Sequence, residues 1–158
     1  MSGINILITG GAGYIGSHIS LIALKKKYNV FIYDNFSNSE IETIFKISKI
    51  SNSKLKFVEG DLLNYDLILS TLKKFKINIV IHCAALKSVE ESVQKPLTYY
   101  ENNVLGTMNL LKAMNNLKIF QLIFSSSASV YGFPKSVPIK ETANLNPTNP
   151  YANSKYFC

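Results

Sequence analysis

Arginine is missing from this sequence. All 17 basic residues are lysines, and with 10 acidic residues they give a formal net charge of +7. A positive surplus suggests nucleic acid, but arginine is the residue that makes bidentate contacts to bases and phosphates. The lysines are scattered through predicted helical stretches, apart from the short run at residues 25–27. The pattern favours a solvated lysine-rich surface, and we expect no nucleic-acid partner.

Cysteine and long apolar runs are also scarce. Cys83 and Cys158 lie far apart, and neither His18 nor His82 has a partner at metal-ligand spacing, so we expect no metal site. This cysteine content fits a reducing, cytoplasmic setting. No segment reaches the ~20 apolar residues of a membrane helix. The N-terminus shows no secretory signal, and we expect no membrane partner.

Short β-branched runs alternate with longer amphipathic stretches, which predicts a Rossmann-like, doubly wound parallel α/β sheet with helices on both faces. We expect one nucleotide-binding domain over residues 1–158, with a sheet that is incomplete at its C-terminal edge. A long helix should end near Leu117, and a last helix should begin near Tyr151. The predicted strands are Ile4–Thr9, Asn29–Asp34, Leu55–Glu59, Asn78–Cys83 and Phe120–Ser125.

A glycine turn follows the first strand, with Gly10, Gly13 and Gly16 at the spacing of the dinucleotide fingerprint. The first glycine permits a tight turn, the second lets backbone approach a pyrophosphate, and the third lets the helix pack closely. Asp34 ends the second strand about 20 residues on, where the fold places its ribose-binding carboxylate. A carboxylate there repels a 2′-phosphate, so the expected cofactor is NAD rather than NADP.

A second constellation lies near the C-terminal end. Tyr151 and Lys155 are four residues apart, which places them on one face of a helix, and Ser127 follows the fifth strand. A phenol ionises near pH 10, about three units too high for a neutral-pH base, and a neighbouring ammonium favours the phenolate. Tyr151 can then take a proton from a sugar hydroxyl while a serine hydroxyl orients the alcohol.

These segments resemble the extended short-chain dehydrogenases/reductases, and within them the UDP-glucose 4-epimerase family. The carrying segments include TGGAGYIGSH at 9–18, VEGDL at 58–62, IHCAALKSVEESVQKP at 81–96, YYENNVLGT at 99–107 and PYANSK at 150–155. The resemblance implies the following roles: Tyr14 and Ile15 at the pyrophosphate; Asp34, Asn35, Asn38 and Ser39 at the adenosine ribose; Asp61 and Leu62 at the adenine; Cys83, Ala84, Ala85, Lys87 and Asn102 along the cofactor; Ser127 at the sugar; Tyr151 as base; and Lys155 at the nicotinamide ribose.

The resemblance also implies a reaction, the interconversion of UDP-glucose and UDP-galactose through a 4-keto sugar with tightly bound NAD. Family members run to about twice this length, and their second half supplies most of the UDP-sugar pocket; intact members are expected to form homodimers. One alternative is a nucleotide-sugar 4,6-dehydratase, which needs Asp-Glu where this chain has Ala128-Ser129. Another alternative is an NAD-binding fragment without activity, and we expect this exact chain to turn over little or no UDP-sugar.

Overall fold

The computed structural model describes residues 3–158. Its centre is one sheet of five parallel strands in the order β3-β2-β1-β4-β5, so the predicted doubly wound parallel sheet, open at its edge, is confirmed. The order reverses between β1 and β4, which is where ligands bind in open α/β sheets, at the carboxyl ends of the strands. The strands are β1 (Asn5–Thr9), β2 (Asn29–Asp34), β3 (Lys56–Glu59), β4 (Ile79–His82) and β5 (Gln121–Phe124).

A long helical stretch ends at Asn116, next to Leu117 as predicted, and it begins at Pro96, because the chain breaks at Lys95 (φ −130°, ψ 57°). Pro96 has no N–H to donate and pushes the residue before it out of the helical region. Beyond the break, a π-helical segment at Tyr100–Leu105 joins two α-helices. The α-helices are α1 (Tyr14–Lys25), α2 (Glu42–Ser51), α3 (Tyr65–Lys74), α4 (Val89–Gln94), α5 (Pro96–Tyr99), α6 (Gly106–Asn116) and α7 (Pro150–Phe157), with a 3₁₀ turn at Ala128–Tyr131.

Each face of the sheet has its own apolar core. On one face, alternate residues of β1 and β2 such as Ile8 and Ile32 pack against Ile44 of α2. On the other face, Leu7 and its neighbours pack against buried residues of α3 and α6. A fully buried aliphatic side chain contributes about 1.5–3 kcal/mol, so these two layers fix the strand register and with it the carboxyl edge.

The chain forms two compact units. The first extends to Ala84 and includes Asn109–Ser125, and it contains the whole sheet with α1, α2 and α3. The second comprises Ala85–Met108 and Ser126–Cys158, and it contains α4, α5, the π-helical segment, the 3₁₀ turn and α7. Within residues 3–158, no helix combines the length and apolarity needed to cross a membrane.

Candidate functional site

The glycine turn after β1 is tightly packed at Gly10 and Gly16 and open at Gly13. Gly10 has φ +66°, and a Cβ there would lie 2.6 Å from the backbone nitrogen of Ala84. A Cβ on Gly16 would collide with the Gly10 carbonyl oxygen, whereas one on Gly13 would meet only that oxygen, at 3.3 Å. The turn therefore tolerates no side chain at its first and third glycines, and it presents bare backbone at the second.

Helix α1 starts from this bare backbone. Its N-cap is Gly13, which has no side chain to accept from the first-turn amides, and the next two side chains, Tyr14 and Ile15, are exposed. The first N–H groups of a helix lack intrahelical acceptors and carry the positive end of the helix dipole. This end of α1 therefore has the donors and the field that a bound phosphate group requires.

Asp34 is buried beside the turn and is held by three donors. Its Oδ2 accepts from the Ala12 amide at 2.9 Å, and its Oδ1 accepts from the Phe36 amide and the Ser39 hydroxyl, both at 3.0 Å. The carboxylate is thus fixed to the glycine turn at the carboxyl end of β2. Oδ2 keeps a lone pair for a further donor. Ala12 and Phe36 have roles that we did not predict, because backbone amides leave no signal in sequence.

The loop after β3 is tied to β2 through Asp61. The Tyr33 hydroxyl donates to the Asp61 carbonyl at 2.8 Å, and Asn35 Nδ2 donates to Asp61 Oδ2 at 2.9 Å. Burial, together with the Asp61 carboxylate, raises the pKa of Tyr33 to about 12. Leu62 is buried in the core beneath the loop. Asn35 and Asp61, both predicted from the resemblance, are therefore in direct contact.

The carboxyl end of β4 lies beside that of β1. The Cys83 amide donates to the Thr9 carbonyl at 3.0 Å, and the buried Thr9 hydroxyl lies 2.6 Å from His82 Nδ1. His82 therefore belongs to the packing between two strand ends. Cys83 and Cys158 are both thiols rather than disulfide partners. Among residues 3–158, no group of three or more His, Cys, Asp or Glu side chains could hold a metal ion.

In the second unit, α7 carries the predicted catalytic pair. The Asn149 side chain caps the helix by accepting from the Ala152 amide at 2.8 Å, and Pro150 occupies the first turn. Tyr151 is half-buried and Lys155, one turn later on the same face, is buried. A buried lysine one turn from a phenol is an arrangement that suits a tyrosine base.

Asn103 is a residue that our sequence analysis missed, and it organises this unit. Its Oδ1 accepts from the Leu86 amide at 2.8 Å and from Asn102 Nδ2 at 2.9 Å. Its Nδ2 donates to the Leu86 carbonyl at 3.0 Å and to the Ser154 hydroxyl at 2.9 Å. The buried amide thus uses all four of its hydrogen-bonding positions. The sequence signal was available, because paired asparagines inside a helical stretch are unfavourable without partners.

Tyr99 supports the ring of Tyr151. Their ring centroids lie 6.4 Å apart with planes at 83°, an edge-to-face contact. The buried Tyr99 hydroxyl donates to Glu91 Oε2 at 3.1 Å. Burial raises the pKa of Tyr99, and the Glu91 carboxylate adds to the rise. Tyr99 is therefore a neutral packing residue that limits where the Tyr151 ring can lie.

The turn after β5 fixes the hydroxyl group of Ser127 through hydrogen bonds to Ser129. Its Oγ accepts from the Ser129 amide at 3.2 Å and lies 2.8 Å from Ser129 Oγ. This leaves one hydrogen-bonding direction of the hydroxyl for another partner. Three other predicted positions are less constrained: Ala85 is half-buried, and the side chains of Asn38 and Lys87 are exposed.

The sheet order, the glycine turn and the helix bearing Tyr151 and Lys155 define a Rossmann-type α/β protein of the short-chain dehydrogenase/reductase kind. The model of the protein family described as GDP-mannose 4,6 dehydratase matches residues 7–158, and the chain belongs to that family.

Several proteins of known name are similar to this chain. It is 49% identical over 152 residues to UDP-glucose 4-epimerase from Yersinia enterocolitica, and 44% identical over 156 residues to UDP-glucose 4-epimerase uge1 from Schizosaccharomyces pombe. These alignments cover 96% of the chain but 45% and 44% of the relatives. The chain therefore spans less than half the length of these relatives.

Solved structures agree closely in fold. A UDP-glucose 4-epimerase from Bifidobacterium longum, in complex with NAD+ and UDP, has a TM-score of 0.95 at 42% identity, over 97% of this chain and 46% of that one. A second, from Stenotrophomonas maltophila, has bound NAD and formylated UDP-arabinopyranose, with a TM-score of 0.95 at 38% identity over 97% and 46% of the chains.

Proposed function

We propose that this chain is the NAD-binding part of a UDP-glucose 4-epimerase, which interconverts UDP-glucose and UDP-galactose. The observation that carries the proposal is α7, where Tyr151 and the buried Lys155 share one helix face in a chain so similar to named epimerases. We further propose that residues 1–158 form one nucleotide-binding domain, that the complete protein is a cytoplasmic homodimer, and that the remaining UDP-sugar contacts come from sequence beyond this chain.

The residues at the carboxyl edge fit NAD. A pyrophosphate needs bare backbone and unpartnered amides, which Gly13 and the first turn of α1 supply. Oδ2 of Asp34 has the remaining lone pair that a ribose hydroxyl needs, and its charge disfavours a 2′-phosphate. Bound NAD supplies the reversible acceptance of a hydride, which no side chain in this site can provide.

The side chains have separate tasks. We assign the phenol oxygen of Tyr151 as the base that takes the proton of the sugar 4-hydroxyl and later returns it. The Lys155 ammonium favours the phenolate and binds the nicotinamide ribose, and Ser127 uses its remaining hydrogen-bonding direction to orient the sugar oxygen. The remaining roles follow the predicted pattern. Tyr14, Ile15 and Gly16 contact the pyrophosphate, and Asn35, Asn38 and Ser39 contact the adenosine ribose. Asp61 and Leu62 contact the adenine. The residues that line the rest of the cofactor are Cys83, Ala84, Ala85, Lys87 and Asn102.

The dehydratase activity for which the family is described is disfavoured by the turn after β5. Removal of water across C5–C6 of a sugar needs a positioned acid and base. Ala128 has no polar group, and the Ser129 hydroxyl is turned towards Ser127. Neither residue can supply an acid or a base near neutral pH. We therefore propose epimerisation, in which Tyr151 alone moves the proton in both directions.

A chimera tests the proposal. Residues 1–158 are joined to the second half of the Yersinia enterocolitica relative, and conversion of UDP-galactose to UDP-glucose is measured with a coupled assay. The chimera should epimerise, and Tyr151→Phe should lower kcat by about 10²–10⁴-fold, the range for loss of a general base. Tyr156→Phe, in the same helix but exposed, should leave kcat unchanged.

Other outcomes contradict the proposal in identifiable ways. Accumulation of a 4-keto-6-deoxy sugar from UDP-glucose would make the protein a dehydratase. The unfused 158-residue chain should bind NAD in a calorimetric titration and show little or no turnover. Turnover by that chain at the rate of the chimera would contradict our proposal that the UDP-sugar pocket needs further sequence.

A further inference from the structure

The edge of the sheet opposite the glycine turn contains a basic cleft. It has a volume of about 610 Å³ and lies at the amino ends of β1, β2 and β3, where α1 and α3 terminate. Among the described residues that line it there is no aspartate or glutamate. The lysines that line it are Lys27, Lys54, Lys56, Lys74 and Lys76. All five lysines are exposed, so water and salt screen their mutual repulsion, and an anion bound between them would lower it further.

Side-chain amides form a chain of hydrogen bonds across the floor of the basic cleft. Asn29 Nδ2 donates to Asn5 Oδ1 at 2.8 Å, and Asn5 Nδ2 donates to the carbonyls of Phe75 and Lys76 at 2.8 and 3.1 Å. This relay of amides joins the starts of two strands to the end of α3. The C-terminal ends of α1 and α3 carry partial negative charge at this cleft, and the lysines around it more than offset that charge.

Two of the lysines are held in place by aromatic rings. Phe31 and Phe75 stack with centroids 4.6 Å apart. Lys56 Nζ lies 5.7 Å from the Phe31 centroid, and Lys74 Nζ lies 5.4 Å from that of Phe75. Cation–π contact restrains both ammonium groups at the cleft. Phe31 is buried and Phe75 is partly buried against the core, so the rings do not form a platform on which nucleic-acid bases can stack.

Two other lysines occupy backbone positions that favour glycine. Lys27 (φ 63°) and Lys76 (φ 49°) are left-handed residues that follow α1 and α3. The bonds that close these helix ends, such as Lys27 N–H to the Leu24 carbonyl at 2.9 Å, are backbone bonds that glycine would make equally well. Lys118 has the same conformation after α6 (φ 57°) but does not line the cleft, which makes it a matched control.

We propose that the basic cleft binds a compact chain of linked phosphates, either inorganic tripolyphosphate or the triphosphate group of a nucleotide. Lysine binds phosphate as a point charge, and five such charges around a limited volume match a small, highly charged anion. The volume lies in the range of small-molecule sites. This site is separate from the carboxyl edge that we assign to NAD, and it does not depend on that assignment.

Calorimetric titration of this chain at low ionic strength, first without NAD and then with NAD saturating, tests the proposal. Tripolyphosphate and ATP, titrated separately, should each bind at one site, more weakly as salt is added. The variant Lys56→Gln with Lys74→Gln should bind about tenfold more weakly, about threefold for each ion pair lost. Similar affinity for the two probes identifies the phosphate chain as the ligand, and tighter binding of ATP identifies a nucleotide as its source.

Glycine variants separate binding from folding. Lys27→Gly with Lys76→Gly should raise Tm, because strain is relieved, and should weaken binding about tenfold through the same loss of ion pairs. Lys118→Gly should raise Tm and leave binding unchanged. The proposal is overturned if neither probe binds saturably, if Lys118→Gly weakens binding as much, if added NAD displaces the probe, or if a single-stranded oligonucleotide binds more tightly than ATP.

Discussion

At the scale of single residues, one buried phenol controls the loop after β3. Because the pKa of Tyr33 is raised from 10.0 to about 12, the unfolded chain loses this proton first as the pH rises. The stability that depends on Tyr33 is complete below about pH 10 and is lost between about pH 10 and 12, by about 1.4 kcal/mol per pH unit. Tyr33→Phe should remove this loss, and urea unfolding at several alkaline pH values measures it.

The control for that experiment is Tyr28→Phe, at the partly exposed tyrosine that follows α1. Both variants leave all 17 lysines unchanged, so the difference between them reports the tyrosine that is replaced. Tyr33→Phe should also cost about 1 kcal/mol at neutral pH, because the Asp61 carbonyl loses its donor. If the unfolding free energy of Tyr33→Phe falls between about pH 10 and 12 as steeply as that of the unaltered chain, the loss of stability does not come from Tyr33.

The neighbouring asparagines 102 and 103 should separate stability from cofactor binding. Asn103→Ala removes four hydrogen bonds from a buried position and should destabilise the chain by about 2–3 kcal/mol, since Leu86 and Ser154 lose buried partners. Asn102→Ala removes one bond and should cost below about 1 kcal/mol, yet weaken NAD binding about tenfold if Asn102 contacts the cofactor. Thermal unfolding measures the stability of each variant, and calorimetry measures its NAD affinity. If Asn102→Ala lost stability and Asn103→Ala lost only NAD affinity, the roles given to the two residues would be wrong.

At the scale of elements, the glycine turn predicts three different outcomes for one substitution. Gly10→Ala and Gly16→Ala should each destabilise the chain by about 3 kcal/mol or more, because a Cβ collides with backbone and, at Gly10, φ is positive. Gly13→Ala meets one oxygen at 3.3 Å and should cost below about 1 kcal/mol. It should nevertheless weaken NAD binding at least tenfold, because the methyl group occupies the approach of the pyrophosphate. Normal NAD affinity in Gly13→Ala would refute this role.

The same elements indicate what the sequence could predict. The five strands end within one residue of their predicted bounds, because apolar β-branched runs between turn residues are a strong signal. The end of the long helical stretch near Leu117 was predicted, whereas the break at Lys95 and the π-helical segment within the stretch were not. The glycine spacing and Asp34 could be predicted as site features because each follows or ends a strand that the apolar runs locate. The backbone amides that donate to Asp34 and the hydrogen bonds around Asn103 were not predicted. They depend on which loops the fold brings together.

At the scale of the whole molecule, three of the four sides of the sheet have different chemistry. The carboxyl edge presents a helix N-terminus and Asp34, and the amino edge presents the basic cleft. The outer strand β5 presents apolar side chains, with Ile123 58% exposed. An outer strand with apolar residues is a template for pairing with another chain. The first two edges suit anions of different kinds, and the third suits a further segment of protein.

Self-association through β5 is therefore expected of this chain by itself. Ile123→Lys places a charge on the outer strand and should shift the chain towards monomer, as measured by light scattering across a concentration series. Phe45→Lys is the matched control, because Phe45 is 59% exposed but lies on helix α2 rather than on a strand. Both variants add one positive charge and remove one exposed apolar side chain. An equal effect of the two would mean that association follows general surface apolarity, whereas an effect confined to Ile123→Lys assigns it to the β5 edge.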